Sequence, residues 1–232
     1  MQAKNKTVER QKKTQNSLIS KPLKDCKPRQ VGQFNADYSD GKTPIYTGIT
    51  CLPDDKIMLI DYGNSTCRLY DSSHQHLADY KLTSDPYGVC LVEGFQVAVN
   101  LPSYNKIQLL TVDKSIQPGR IINTSLSCDG IETLSNDQLV VSGIRNGSLY
   151  WCIISMDGLE KLYVEVCRSH WCSHLAVNSN KTHIYVSYYS DTAAVYAYSV
   201  NGTVIFRYEH KTLDGAYGLA VDREDNLYVI GQ

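Results

Sequence analysis

The chain alternates short apolar runs with polar turns, and it does so five times in phase. "YTGITCLPDDKIMLID", "PYGVCLVEGFQVAVN", "CDGIETLSNDQLVVSG", "CSHLAVNSNKTHIYVSY" and "AYGLAVDREDNLYVIG" share one layout. Each has an anchor position (Gly48, Gly88, Gly130, His174, Gly218), spaced 40, 42, 44 and 44 residues apart. An aliphatic residue follows each anchor, then a polar or Gly-containing turn, then a run rich in Ile, Val and Tyr. Bounded by Gly, Asn, Asp and Ser, such β-branched and aromatic runs predict strands.

Each unit divides into four strands. The expected ranges are 48–52, 56–61, 66–71 and 76–82 in the first unit, and 88–92, 96–100, 106–112 and 119–125 in the second. The third gives 130–134, 138–143, 149–156 and 160–167, and the fourth 174–178, 182–189, 193–200 and 204–209. A closing pair spans 218–222 and 227–231. No apolar stripe recurs at i, i+3, i+4, so helical solenoids of similar period are excluded. Four antiparallel strands repeating every 40–45 residues predict an all-β propeller, with four full blades and a partial fifth. Blade limits fall near 46–84, 85–127, 128–171, 172–215 and 216–232. Taken alone the chain is expected to be an open arc with exposed edges, because the closing pair lacks the third strand that would cover it. The sequence is expected to continue beyond it.

"GITCLPDDKIMLIDYGNSTCRLYDSSHQHL" resembles an NHL repeat. Gly48, Asp61, Asn64, Arg68, Leu69, Tyr70 and Asp71 stand at the pattern's Gly, Asp, Asn and Arg-Ile-x-Val-Phe-Asp positions. "AYGLAVDREDNLYVIG" matches the first half of the repeat. The third unit departs, lacking the Asp after its second strand, and the fourth puts His174 where Gly belongs. The resemblance covers roughly 30–232 and implies a six-bladed NHL propeller of the kind carried by tripartite-motif proteins. In that family a RING finger, B-box and coiled coil precede the propeller, and ubiquitin-ligase activity belongs to the RING. None is visible here, so ligase chemistry and coiled-coil oligomerisation have no place on these residues. "QVGQF" (30–34) is a candidate outer strand of a closing blade.

Composition refines this picture at the N-terminus. Residues 1–30 carry nine Lys and Arg against two acids, leaving 14 basic and 22 acidic residues for 31–232. Residues 1–29, polar and with two prolines, read as a basic linker. The acidic remainder weighs against general nucleic-acid binding, which depends on neutralising phosphates. No apolar run approaches a membrane span of about 20 residues. The amino terminus lacks a hydrophobic signal segment, so the expected location is cytoplasmic. Eight cysteines without a C-x-x-C pair read as reduced and mostly buried thiols. Six Asn-x-Ser/Thr sequons (Asn5, Asn64, Asn123, Asn146, Asn180, Asn201) read as turn chemistry. They are the sole support for a secreted receptor-type propeller, whose Tyr-Trp-Thr-Asp motif is missing.

No G-x-S-x-G, H-E-x-x-H or phosphate loop occurs. Metal-dependent propeller hydrolases hold calcium with six to eight oxygens at the channel mouth. The upper channel positions here are Thr47/Gly48, Tyr87/Gly88, Asp129/Gly130, Ser173/His174 and Tyr217/Gly218. Only Asp129 among them is acidic; Glu132 and Asp222 fall lower, while Asp61 and Asn100 end second strands near the mouth. "CRSHWCSH" (167–174) crowds four zinc-type ligands into eight residues and reads as structural thiols beside a surface histidine. No cofactor, metal site or catalytic group is therefore expected. The loops that pave the top face collect Tyr62, Tyr87, Tyr104, Arg145, Arg168, Trp171, Tyr188, Tyr189 and Tyr217. Aromatics mixed with Arg are the composition of a recognition surface. A protein partner on this face is the primary expectation, and single-stranded or stem-loop RNA the alternative.

Overall fold

The computed structural model describes residues 33–36, 43–168, 174–188, 194–209 and 215–231. Backbone contacts divide the chain into two units, Met1–Ala36 and Asp37–Gln232. In the first unit the described residues 33–36 carry no strand. The expected strand at 30–34 is therefore absent at Gln33 and Phe34, and its remaining positions lie outside the described residues.

The second unit is built of antiparallel sheets in simple meander order. The first holds β1 (Tyr46–Cys51), β2 (Ile57–Asp61), β3 (Thr66–Tyr70) and β4 (His76–Lys81). The second holds β5 (Val89–Glu93), β6 (Gln96–Leu101), β7 (Lys106–Val112) and β8 (Ile116–Asn123). In the third lie β9 (Gly130–Ser135), β10 (Gln138–Arg145), β11 (Ser148–Ser155) and β12 (Glu160–Cys167). The fourth contains β13 (Leu175–Val177), β14 (His183–Tyr188), β15 (Ala194–Ser199) and β16 (Val204–Glu209). A hairpin of β17 (Gly218–Val221) and β18 (Leu227–Ile230) follows. Each four-stranded sheet is one propeller blade.

Burial follows each strand's place in its blade. The middle strands are covered on both faces, as in β2 and β3, whereas outer β4 alternates half-buried and exposed positions. Apolar cores fill the gaps between successive sheets. Met58, Ile60 and Leu69 meet Val97, Val99 and Leu110 between the first two. Leu109 and Ile122 meet Leu139 and Ile154 between the second and third. Trp151 and Leu149 meet Ile184 and Tyr198 between the third and fourth. The closing hairpin lays Leu219, Val221, Leu227 and Val229 on Tyr185 and Val195 of the fourth. Burial at this level is the dominant favourable term, of about 25 cal/mol per Å² of apolar surface.

The widest departure from the expected strands is β8, which starts at Ile116 rather than Gly119. Pro118, which the expected strand 119–125 left out, lies inside an outer strand. Proline is tolerated there because an edge strand has N–H groups with no ladder partner to lose. The register shifts between Gln108 and Leu110, and the Gln108 side chain stitches the irregularity. Its Nε2 donates to the carbonyls of Leu109 and Gly119, both at 2.9 Å.

The quoted repeat residues of the first blade have definite work. Arg68 Nε and Nη2 donate to Asp61 Oδ2 at 3.2 and 3.1 Å, and Nη1 reaches Asp79 Oδ2 at 3.2 Å. Asp61 also accepts from the Ile45 and Asn64 N–H groups and from Asn64 Nδ2. Asn64 is 4% exposed, so this sequon's amide is spent inside the fold. Asn146, Asn180 and Asn201 are exposed on turns, and Asn123 is exposed at the end of β8. Cys67, Cys90, Cys128 and Cys152 are buried free thiols, Cys167 is half-buried, and Cys51 is exposed. No helix among the described residues is long and apolar enough to cross a membrane.

Candidate functional site

The first strands of the blades, β1, β5, β9 and β13, neighbour one another in chain order, and β17 follows β13. They can stand this close because small residues sit where they meet. A Cβ on Gly48 would lie 3.1 Å from the Tyr87 carbonyl, and one on Gly88 would lie 3.3 Å from the Asn100 amide and from Ile131. Together these strands enclose a cavity of about 560 Å³. That volume falls within the roughly 300–1,000 Å³ usual for ligand pockets. We call the end of the sheets bearing the β2–β3 turn the top face; Tyr46, Asp129, His174 and Tyr217, at or just before the starts of the first strands, line the cavity at that end.

A buried polar residue near the end of each second strand holds the mouth in place. Asn100 accepts from the Tyr87 N–H at 3.3 Å and from the Gly88 N–H, and its Nδ2 donates to the Asp129 carbonyl at 2.7 Å. It thereby ties the second blade to the third. In the fourth blade Ser187 Oγ accepts from the His174 N–H at 3.3 Å. In the third, the Asp129 N–H donates to the Ser142 carbonyl at 2.7 Å. Asp61 and Asn100 are thus turned toward backbone and, for Asp61, toward Arg68. Neither is presented as a ligand for a cation in the mouth. Among the described residues, no group of three His, Cys, Asp or Glu side chains is placed to hold a metal.

The expected top-face residues fall into three groups. Tyr62, Tyr87 and Tyr217 gather at the mouth. The Tyr62 and Tyr87 rings meet edge-on with centroids 6.5 Å apart, and Tyr87 lies 5.9 Å from the His174 ring. Tyr217 lines the cavity and is 42% exposed. Tyr104, Arg145 and Arg168 are exposed, but the first two are engaged with residues outside the cavity wall. Lys106 sits over the Tyr104 ring at 5.6 Å and Arg145 over Tyr163 at 5.4 Å. Tyr188 corrects the expectation of an exposed ring: it is buried at 6%. Its ring stacks on Tyr196, and its hydroxyl accepts from Arg207 Nη2 at 3.4 Å. Strand β14 is covered on both faces at this point, so the side chain enters the core. Trp171 and Tyr189 lie outside the described residues, as do positions 169–173 of the Cys/His cluster.

Two residues of the mouth were placed in the channel by the repeat but not recognised as part of a site. Asp129 and His174 both line the cavity, together with Glu132. Burial pushes the Asp129 carboxyl up to about 6, against a small opposing effect of the Ser127 hydroxyl. Burial also raises Glu132, although the Thr133 N–H and the charge of Lys181 pull the other way. Burial lowers His174, favouring the neutral imidazole. No Lys or Arg stands among the described residues of the cavity wall. The signal for these residues was available in the anchor positions themselves, since His174 replaces a Gly and Asp129 precedes one.

No protein-family model and no curated protein matches the sequence. The fold is nonetheless shared with solved propellers. Virginiamycin B lyase from Staphylococcus aureus superposes with a TM-score of 0.62 at 15% identity, over 80% of this chain and 63% of that one. Hydrazine synthase from Kuenenia stuttgartiensis gives 0.67 at 10% identity, over 84% and 57%. The Dos1 propeller gives 0.60 at 10% identity, over 80% and 52%. The chain thus spans between about half and two thirds of the length of these structures. At such identities the likeness is one of fold, and the neighbours include enzymes.

Proposed function

We propose that the chain is a non-catalytic recognition module that holds a protein segment on its top face, across the channel mouth. The observation that carries this is the aromatic track from Tyr62 through Tyr87 to His174, with Tyr217 in the cavity wall beneath. Partly exposed tyrosines that need no reordering are efficient contact groups, because little side-chain entropy is lost on binding. The NHL resemblance supports a finer reading: a propeller completed by further strands, with β17 and β18 as the first half of a fifth blade. On that reading it is the substrate-recruiting end of a cytoplasmic, tripartite-motif-like ubiquitin ligase whose RING would lie outside these residues. RNA is disfavoured at this mouth, since its wall offers carboxyl groups and no Lys or Arg among the described residues.

The test uses the 232-residue chain against a phage library of random 12-residue peptides. The expected result is a family of peptides whose affinity falls by about tenfold or more in Tyr62→Ala/Tyr217→Ala, the loss usual for hot-spot residues. Binding indifferent to both tyrosines would overturn the reading. So would tight binding of a random RNA pool whose salt slope disappears in Arg145→Ala/Arg168→Ala.

A further inference from the structure

The mouth contains a carboxylate with an incomplete set of partners. Asp129 is largely enclosed, and among the described residues its side chain has one hydrogen-bond donor, the Ser127 hydroxyl, at a long 3.3 Å. An ionised carboxylate has capacity for about four hydrogen bonds and is costly to remove from water without a counter-charge. Asp61, at the same end of its own sheet, has three donor groups, from Ile45 and Asn64, and a guanidinium. Glu132, in the same cavity, already feels Lys181. For Asp129 no cation is in place among the described residues.

The rest of the wall has a consistent chemistry. His174 stands beside Tyr87, and its imidazole has no hydrogen-bond partner among the described residues. Tyr217 adds a ring. Aromatic faces attract cations, and the attraction grows when water is excluded. Ile49, Val89, Ile131 and Leu219 supply apolar surface. Thr47 Oγ1, in the same wall, is a buried polar atom without a hydrogen-bond partner. An acid, aromatic rings and an aliphatic lining together fit a group with an apolar stem and a positive end. Lys and Arg side chains have that form.

We infer that the mouth takes one basic side chain, a lysine or an arginine, from the protein segment bound on the top face, with the Asp129 carboxylate as its counter-ion. The inference rests on the recognition reading above and names the chemistry of its partner. The high carboxyl range of Asp129 agrees with a site lacking its cation, since a bound ammonium or guanidinium would favour the ionised form. The cation also explains why an acid can be kept at this position at a cost to the unliganded fold.

The experiment takes the peptides selected by the 232-residue chain and completes a double-substitution cycle by calorimetry. One arm replaces the peptide's basic residue by norleucine, which keeps the stem and removes the charge. The other replaces Asp129→Asn, with Asp129→Glu as the charge-preserving companion. Norleucine should weaken binding to the unmodified chain by about tenfold, equivalent to about 1.4 kcal/mol. On Asp129→Asn the same replacement should change affinity by less than about twofold, and Asp129→Glu should recover much of the difference. Selected peptides with no requirement for Lys or Arg would overturn the inference and leave the top-face reading standing. A norleucine effect of equal size on the chain and on Asp129→Asn would also overturn it. If no peptide is selected, the top-face reading fails and the inference fails with it. The norleucine arm needs no protein variant, so a misfolded substitution cannot imitate the expected result.

Discussion

Asp61 of the first blade and Asp129, which leads into the third, are two enclosed carboxyl groups at the same end of their sheets, with opposite surroundings. Burial by itself would raise Asp61. The Asn64 amide, the Ile45 N–H and the Arg68 guanidinium outweigh that and hold its carboxyl below the usual range. Asp129 experiences the same kind of burial with only Ser127 opposing it, and rises to about 6. The difference separates a carboxylate the fold has used from one it has left available. The first fastens β2 to β3 and to the segment leading into β1. The second waits at a mouth where a ligand can supply what the fold does not.

The largest break in this comparison should come from Arg68→Met. It leaves Asp61 buried without its guanidinium, which costs about 3–5 kcal/mol, measured as the loss in urea unfolding free energy. Pairing it with Asp61→Asn should recover part of the loss, since a neutral amide removes the stranded charge and still offers an oxygen to the Ile45 and Asn64 N–H groups. A loss below about 1 kcal/mol in the single variant would mean that the network is not structural. Asn100→Ala is the next largest. It leaves the Gly88 N–H without its side-chain acceptor at the mouth, at a cost of about 1–3 kcal/mol. It should also weaken the selected peptides, because Asn100 positions both Tyr87 and Asp129. Unchanged affinity would separate the mouth from the binding site.

Asp129→Asn should behave in the opposite sense to these. Above pH 6 it relieves a disfavoured charge and should leave stability equal or higher by about 1 kcal/mol, while peptide affinity falls. A loss of stability as large as that of Arg68→Met would show Asp129 to be a structural partner as well.

The smallest effect is a pair of opposed pH dependences. Asp61 has a lowered carboxyl, so its contribution is full above the unfolded value of about 3.9 and is lost as pH falls through the folded value. Asp129 has a raised one. Between about 6 and about 4 the native state binds a proton that the unfolded state does not, so its contribution grows as pH falls through that window. The slope of stability against pH between about 5 and 6 should therefore change in Asp129→Asn and stay nearly unchanged in Asp61→Asn, whose own effect appears below about pH 5. Glu132 and His174 line the same cavity and titrate against this background, so the comparison is made between variants.

Much of the fold was legible in the sequence because strand alternation and turn chemistry are local. Three strands, 106–112, 160–167 and 204–209, lie where the pattern predicts them. Asp61, Asn64 and Arg68 were also legible, as a motif, though their contacts were not. What stayed hidden depends on neighbouring blades. Whether Tyr188 faces water or core is decided by the sheets that cover β14, and one residue's position in a strand carries no record of them. The early start of β8 stayed hidden for a related reason: only its place on an outer strand makes Pro118 harmless. Asp129 and His174 were located by the repeat, but the lack of a cation in the described wall could be seen only once β1, β5, β9, β13 and β17 were set around one cavity.

The central claim, that one carboxylate is spent and the other available, is tested most directly by carboxyl carbon NMR titration of the 232-residue chain with Asp61 and Asp129 assigned. The account predicts a midpoint for Asp61 below the ordinary aspartate value of about 3.9. It predicts a midpoint near 6 for Asp129. An Asp129 midpoint at or below the ordinary value would show that the carboxylate already has its partner, and would contradict the account.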